Sequence, residues 1–291
     1  MTREAHRDKK GERIAKALAR AGIASRREIE RMIAAGRIRL DGRRLDSPAV
    51  LVESLDGILV DGQKVAAPEP ARLWRCHKPS GLVTTHRDPG GRPTLFDRLP
   101  EHLPRVISVG RLDLNSEGLI LLTNDGGLAR WLEMPSTGWI RRYRVRAHGT
   151  VDEARLAALA DGITVDGVVY EPIEARLESR TAHNCWLAMS LREGKNREIR
   201  RVLAALGLEV NRLIRVAYGP FTLGSLPRGA VAEVPKKALY GAAGGYFRDL
   251  AQAPARVGLP DQKAHDPSKW AKAKPKPKRP AARRRQQKPA P

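Results

Sequence analysis

GRLDLNSEGLILLTNDG, residues 110–126, decides how the rest of the chain is read. The apolar run Leu119-Ile120-Leu121-Leu122, closed by Thr123-Asn124-Asp125-Gly126, reads as a short buried strand ending in a turn. Upstream, Val106-Ile107-Ser108-Val109 forms a second apolar run that stops at Gly110. Asp113 therefore falls on a loop between two core strands, where a rigid scaffold holds a reactive group within reach of solvent. A loop aspartate also serves as a turn cap, because its side chain accepts from nearby backbone amides. A calcium loop fails: Asp113-x-Asn115-x-Glu117-Gly118 begins like one, but Asn124 stands where the bidentate Glu is required.

Charge narrows the class of partner. The 291 residues hold 54 Lys and Arg against 32 Asp and Glu, a formal +22, with 41% hydrophobic content. From Lys263 onward stand eleven Lys or Arg and one acid, Asp266, so +10 lies in the tail and +12 in the body. Such an excess points to a polyanion. No apolar run long enough to span a bilayer occurs, no basic amphipathic helix rich in Trp or Phe, and MTREAHRDKK has no signal-peptide core, so nucleic acid is expected rather than membrane. Cys76 and Cys185 are far apart and the histidines lack zinc spacing, which predicts a reducing cytoplasm and no metal site.

Organisation follows the punctuation. Ile14, Ala17, Leu18 and Ala21 share a helical face before Gly22; Ser25-Arg26-Arg27-Glu28 is a capping box for a helix through Ile29, Met32 and Ile33 that stops at Gly36. Ile38 and Leu40 then alternate with Arg37 and Arg39 up to Asp41-Gly42, a hairpin turn, with Leu45 returning. Arg26, Arg27, Arg31, Arg37 and Arg39, with Arg43 and Arg44, give this module a one-sided positive surface suited to RNA. A Pro- and Ala-rich linker, 66–71, follows. Further on, Thr150-Val151-Asp152-Glu153 opens a helix as a capping box, and Asn196 is the expected N-cap of another, with Ile199, Val202, Leu203 and Leu206 inward. Strands and helices without regular alternation give an α+β fold class. The expected divisions are a flexible 1–10, modules over 11–72 and 73–240, and a basic tail over 241–291, disordered at least from Lys263.

In the second module, Arg197, Arg200 and Arg201 fall at i, i+3 and i+4 beside a helix N-terminus with Lys195 just before it, a site suited to phosphate or to a carboxylate. In RRYRVRAHG, alternation places Tyr143 with Val145 and Ala147 on an apolar strand face, where the ring is either core or platform.

ARAGIASRREIERMIAAGRIRLDGR resembles the alpha-L RNA-binding domain, and VGRLDLNSEGLILLTNDG, RRYRVRAHG and LREGKNREIRRVLAALG resemble, in order, the catalytic, tyrosine and basic motifs of the pseudouridine synthases of ribosomal RNA. The resemblance implies a small RNA-binding domain followed by a catalytic domain whose mixed, mainly antiparallel sheet is flanked by helices. It implies isomerisation of a uridine in ribosomal RNA, the large-subunit 23S rRNA ahead of the small-subunit one, with Asp113 as catalytic carboxylate, Tyr143 stacking on the base and Arg200 paired with Asp113. Arg111 is then a candidate to fill the space of the everted base, and Lys195, Arg197 and Arg201 contact RNA. No atom is gained or lost, so no cofactor is implied; RNA supplies the second surface, so a monomer is expected. A noncatalytic ribosome-assembly factor and a DNA-binding regulator fit the charge as well, but neither gives Asp113 a task, since a carboxylate repels backbone phosphate.

Each Lys or Arg that contacts phosphate releases counterions on binding. Deleting residues 263–291 is expected to flatten the salt dependence of RNA affinity without changing the site chosen, as a filter-binding salt series on both forms would measure.

Overall fold

The computed structural model describes residues 11–252; residues 1–10 and 253–291, with the expected basic tail from Lys263, lie outside them. The chain begins with helices α1 (Ile14–Arg20) and α2 (Arg26–Ala34), whose Ile14, Leu18, Ile29 and Ile33 are buried together. Ser25 caps α2, its hydroxyl accepting from the Glu28 amide at 3.2 Å. A four-stranded sheet follows in the order Arg43–Arg44, Ile38–Leu40, Ile58–Val60, Gln63–Lys64. Its first hairpin turns on Asp41 and Gly42, with φ of 49° and 76°. Two successive positive φ values match the right-handed twist of the strands, which is why Asp-Gly signals this turn.

The second part is a nine-stranded sheet, with its main path Glu174–Arg180, Asn184–Leu191, Arg141–His148, Glu209–Tyr218, Ser116–Thr123, Leu73–Lys78 and Val231–Glu233. Neighbours along this path run antiparallel except where Glu209–Tyr218 meets Ser116–Thr123 in parallel. The sheet is mixed and mainly antiparallel, as the family resemblance implies. Every residue of Ser116–Thr123 is buried, so the quoted apolar run is the central strand with core on both faces. Leu73, Leu119, Leu121, Leu128 and Tyr218 form one core; Trp74, Cys76, Ile120 and Leu122 form another on the alternate positions. A third unites Tyr143, Val145 and Ala147 with Leu187, Val202 and Leu203.

Several local expectations need correction. The turn at 123–126 continues into helix α3 (Gly126–Glu133), capped by Asp125, whose Oδ1 accepts from the Gly127 and Leu128 amides at 2.6 and 3.0 Å. Helix α4 (Glu153–Ala157) is capped by Asp152 rather than Thr150, because the carboxylate reaches both the Ala154 and Arg155 amides. Helix α5 (Glu198–Ala205) starts from Arg197, not from an Asn196 cap. Beyond the expected edge at 240, helices α6 (Lys236–Ala242) and α7 (Gly244–Gln252) continue, with Leu239, Tyr246 and Phe247 packed on the sheet core. The Tyr246 hydroxyl donates to Asp125 at 2.9 Å, and Arg20 of α1 lies 3.5 Å from the same carboxylate, so one buried acid joins the first helix, α3 and α7. No helix among the described residues is long and apolar enough to cross a membrane.

The parallel crossing depends on Gly118. Its φ is +103°, and a Cβ there would lie 2.3 Å from the carbonyl oxygen of Arg215. Gly118→Ala is expected to cost about 2 kcal/mol or more, from backbone strain plus a steric shift that no rotamer relieves; a urea melt against the wild type measures it.

Candidate active site

The loop from Gly110 to Asn115 leaves the strand Ile107–Val109 and enters the central strand, and the carbonyls from Leu112 to Asn115 are each tied. Thr84 Oγ1 donates to Leu112 O at 2.9 Å, the Gly81 amide to Leu114 O at 2.8 Å and Arg200 Nη2 to Asn115 O at 3.0 Å. The ammonium of Lys78 donates to the carbonyls of Pro79 at 3.1 Å, Asp113 at 3.1 Å and Ser116 at 2.8 Å, with Leu114 O at 3.5 Å. Lys78 is wholly buried. Removing an ammonium from water is expensive unless donors find acceptors, and the ring of carbonyls supplies them. Burial lowers its pKa to about 8, with the negative charges of Asp113 and Glu117 pulling the other way.

With the backbone held, the Asp113 carboxylate is left half-exposed in a cleft of about 600 Å³. Leu112, Tyr143, Lys195, Arg197, Glu198 and Arg215 line that cleft with it. The resemblance brought Asp113, Tyr143 and the basic helix from three distant segments, and the fold sets all three at one cleft. Tyr143 is 9% exposed, part of the core and part of the cleft wall. Arg111 is exposed on the cleft rim, Lys195 is held by Glu193 at 2.6 Å and by the Val169 carbonyl at 2.7 Å, and Arg201 is exposed and does not line the cleft.

The pairing of Arg200 with Asp113 is not the geometry found. The guanidinium nearest the carboxylate is that of Arg197, Nη1 to Oδ2 at 4.0 Å, while Arg200 spends its N–H groups on the carbonyls of Val210 (2.9 Å) and Asn115 (3.0 Å). The reason is local: Arg197 adopts the left-handed region, φ 52°, just before the helix, which swings its side chain toward the loop. Arg200 is half-buried, and burial lowers its pKa, Arg197 adding to the effect and the charge of Asp113 opposing it. Arg200 thus acts on Asp113 through the loop backbone and through its field.

Two cleft residues and one buried behind the loop escape a reading of the sequence. Glu198 is buried and its Oε2 accepts from the Lys195 amide at 2.8 Å, which ties the segment before α5 to the first residue of the helix. Burial raises its pKa to about 7, with the Glu193 charge adding to the shift against the Lys195 hydrogen bond. Arg215 is 3% exposed, donates to Leu119 O at 2.7 Å and stacks over Tyr218, while one of its terminal N–H groups, Nη2, is buried without a partner. Lys78 is the third; only its place before Pro79 at the end of the strand Leu73–Lys78 hints at it.

The RNA-binding arginines of the first module are elsewhere. Arg26, Arg27 and Arg39 are exposed; Arg31 pairs with Glu28 at 2.9 Å, and Arg37 makes a two-point pair with Asp61 at 2.8 and 2.5 Å, which leaves those two less charge to offer. None of the five lines the cleft.

Comparison with known proteins agrees with the layout. The family model for RNA pseudouridylate synthase matches residues 72–205, and that for the S4 domain matches residues 12–58. An uncharacterized RNA pseudouridine synthase of Rickettsia conorii is 46% identical over 227 residues, 78% of this chain and 98% of the relative. Ribosomal large subunit pseudouridine synthase B is 42% identical in Pasteurella multocida, covering 85% of this chain and 72% of the relative. The same-named protein of Shigella flexneri is 41% identical, covering 84% of each. A crystal structure of a pseudouridylate synthase superposes with a TM-score of 0.56 at 26% identity, over 79% of this chain and 99% of that one.

Replacing Lys78 by Met is expected to free the loop. The amides of Gly81 and Ser116, which donate to Leu114 O and Asp113 O, should exchange with deuterium at least about tenfold faster, roughly 1.4 kcal/mol of lost protection. The pH dependence has a definite sign. The folded pKa of about 8 lies below the ordinary 10.5, so the folded state holds fewer protons between them and wild-type stability rises with pH through that window. That slope should vanish from the melting curves of Lys78→Met.

Proposed function

The chain belongs to the RNA pseudouridylate synthase family, and we propose that it isomerises one uridine of large-subunit ribosomal RNA, with Asp113 as the catalytic carboxylate. The observation that carries this reading is the half-exposed Asp113 side chain at the mouth of a cleft whose backbone is immobilised around it. The reaction breaks the bond from ribose to the uracil nitrogen, turns the base and joins its carbon to the sugar. A uracil within folded RNA is out of reach, so the base is everted into the cleft and laid against an aromatic wall, as enzymes acting on bases require. Tyr143 supplies the wall in this proposal. Arg111, at the rim, fills the gap left in the RNA, and Lys195, Arg197 and Arg201 meet phosphates.

Arg197 is the proposed electrostatic partner of Asp113. The pair stands at 4.0 Å, too far for a direct hydrogen bond and close enough for the guanidinium to attract the carboxylate. Arg200 is a positioning residue in this scheme. Arg215 lines the cleft with its guanidinium held by the Leu119 carbonyl, a fixed positive charge beside the substrate in this scheme.

The large-subunit assignment rests on the named relatives in Pasteurella multocida and Shigella flexneri. The S4 match supports the first module, residues 11–72, as the part that grips RNA outside the cleft, with residues from 73 onward as the catalytic part. The same reading makes the protein a cytoplasmic monomer.

Pseudouridine mapping of ribosomal RNA from cells lacking the protein, complemented with wild type or Asp113→Asn, tests it. One large-subunit site should disappear and only the wild type should restore it, because the amide keeps the size and loses the charge. Restoration by the Asn variant rejects Asp113 as the catalyst; a complete map in the deletion strain favours the noncatalytic assembly factor.

A further inference from the structure

The strand Arg141–His148 turns Tyr143, Val145 and Ala147 to the core and Arg142, Arg144, Arg146 and His148 to solvent. That outer face is open where the strands Glu174–Arg180, Asn184–Leu191, Arg141–His148 and Glu209–Tyr218 lie side by side. In its middle stands Trp186, directly across from Arg146, which on its other side is paired with Arg212. The Arg144 guanidinium lies over the indole at 4.7 Å and that of Arg212 at 6.0 Å. Beside the ring is a concavity of about 270 Å³ lined by Arg146, Ser179, Thr181, Asn184, Trp186 and Arg212. Neither Tyr143 nor Asp113 borders it.

Burial does not explain this arrangement. A tryptophan on an open strand face adds apolar surface where solvent would be met better by a polar side chain. Arg144 is held by Glu178 at 2.8 Å, and Arg212 is held by Glu117, so the two guanidiniums flanking the ring are fixed in place. Arg146 has no carboxylate within ion-pair distance among the described residues, and is exposed. The Asn184 side-chain oxygen, Oδ1, accepts from Asn211 Nδ2 at 3.2 Å, which fixes the amide beside the concavity. An aromatic ring covered by Arg144, which does not itself line the concavity, with one uncommitted cation and an amide edge beside it, supplies the components with which proteins hold an unpaired nucleotide: ring for the base, cation for the phosphate, amide for the base edge.

We infer that this concavity is a second RNA site, which takes one unpaired nucleotide of the substrate RNA with its base against Trp186 and its phosphate on Arg146. The inference rests on the proposed RNA substrate but not on the chemistry at Asp113. It gives the protein a handle on the RNA distant from the reacting uridine, on the face of the sheet that the catalytic cleft does not use. Binding of one nucleotide here adds affinity and selects RNAs with an unpaired base at the right distance from the target.

The test uses the full chain, with a short oligouridylate and a large-subunit rRNA transcript as probes. Ultraviolet crosslinking followed by mass spectrometry should place oligouridylate on the peptide that contains Trp186. Trp186→Ala should weaken binding to both probes by about tenfold, the scale of one lost stacking contact, whereas Trp186→Phe should retain most of it. Arg146→Gln, a change at an exposed side chain that leaves the fold intact, should lower the slope of log affinity against log salt by about one. With saturating transcript the turnover of both variants should equal that of the wild type, the loss falling on KM. Unchanged affinity and salt slope in Arg146→Gln, or crosslinks confined to the Asp113 cleft and the first module, overturn the inference. If Trp186→Ala melts early, Trp186→Phe and Arg146→Gln decide. RNA affinity that depends on Trp186 in a protein with no synthase activity would sustain the second site and reject the catalytic reading, so the two fail separately.

Discussion

A buried ammonium and the carbonyl oxygens of one loop hold this molecule's chemistry in place. Lys78 ends one core strand and crosses to the loop that precedes the next, so a single cation cross-links Pro79, Asp113 and Ser116 through their backbones. The arrangement solves a conflict. A carboxylate meant to meet substrate must be exposed, and exposed loops are mobile; fixing the main chain from behind while leaving the side chain in front separates the two demands. Thr84, Gly81 and Arg200 complete the set of donors, so the loop is stiff without a single hydrogen bond to the Asp113 carboxylate from a neighbouring backbone amide. Preorganisation of this kind is what an active site needs, because geometry fixed before binding is not paid for at the moment of reaction.

The cleft also shows why the charges around Asp113 are distributed as they are. Four cations stand near it: Lys78 behind the loop, Arg197 in front, Arg200 to the side and Arg215 at the cleft lining. Three of them are engaged with carbonyl oxygens, which hold a cation's position without neutralising it. Their fields therefore remain available to the carboxylate and to an incoming polyanion. Arg197 alone has its guanidinium directed at the carboxylate, at a distance where the pair is weak in solvent and strengthens once a substrate excludes water. The acids nearby are placed with the same economy: Glu198 has its pKa raised to about 7, chiefly by burial, and Glu193 is occupied by Lys195, so neither competes with Asp113 for the arginines.

Much of this was legible in the residues. The Asp113 loop between two core strands, the Asp41-Gly42 hairpin, the Ser25 cap and the alternation that buries Tyr143 all follow from local rules, because each depends on neighbours in sequence. What escaped depends on neighbours in space. A lysine in LWRCHKPSG carries no mark of being wholly buried, since only the approach of the Asp113 loop supplies its carbonyl partners. Arg197 and Arg200 differ by one helical turn, and choosing between them required knowing that Arg197 adopts a left-handed backbone. Helix α3 was hidden by the turn that starts it, although Asp125 followed by Leu128, Ala129 and Leu132 carries both the cap and the apolar spacing. Helix α7 was hidden by composition: GGYFRDLAQ looks like the start of the tail until Tyr246 is seen to reach Asp125.

Asp125 extends the same principle to the whole molecule. Its carboxylate caps α3, accepts from Tyr246 of α7 and faces Arg20 of α1, so the helical module at the start of the chain, the sheet and the last described helix share one buried acid. A module that grips RNA improves the choice of target only if its orientation to the cleft is fixed, since a flexible tether adds affinity without measuring distance. The Arg20 contact and its buried acceptor supply such a fixed point. In the proposed function, RNA held by the exposed arginines of α2 is presented to the cleft at a set spacing, which selects the site by geometry.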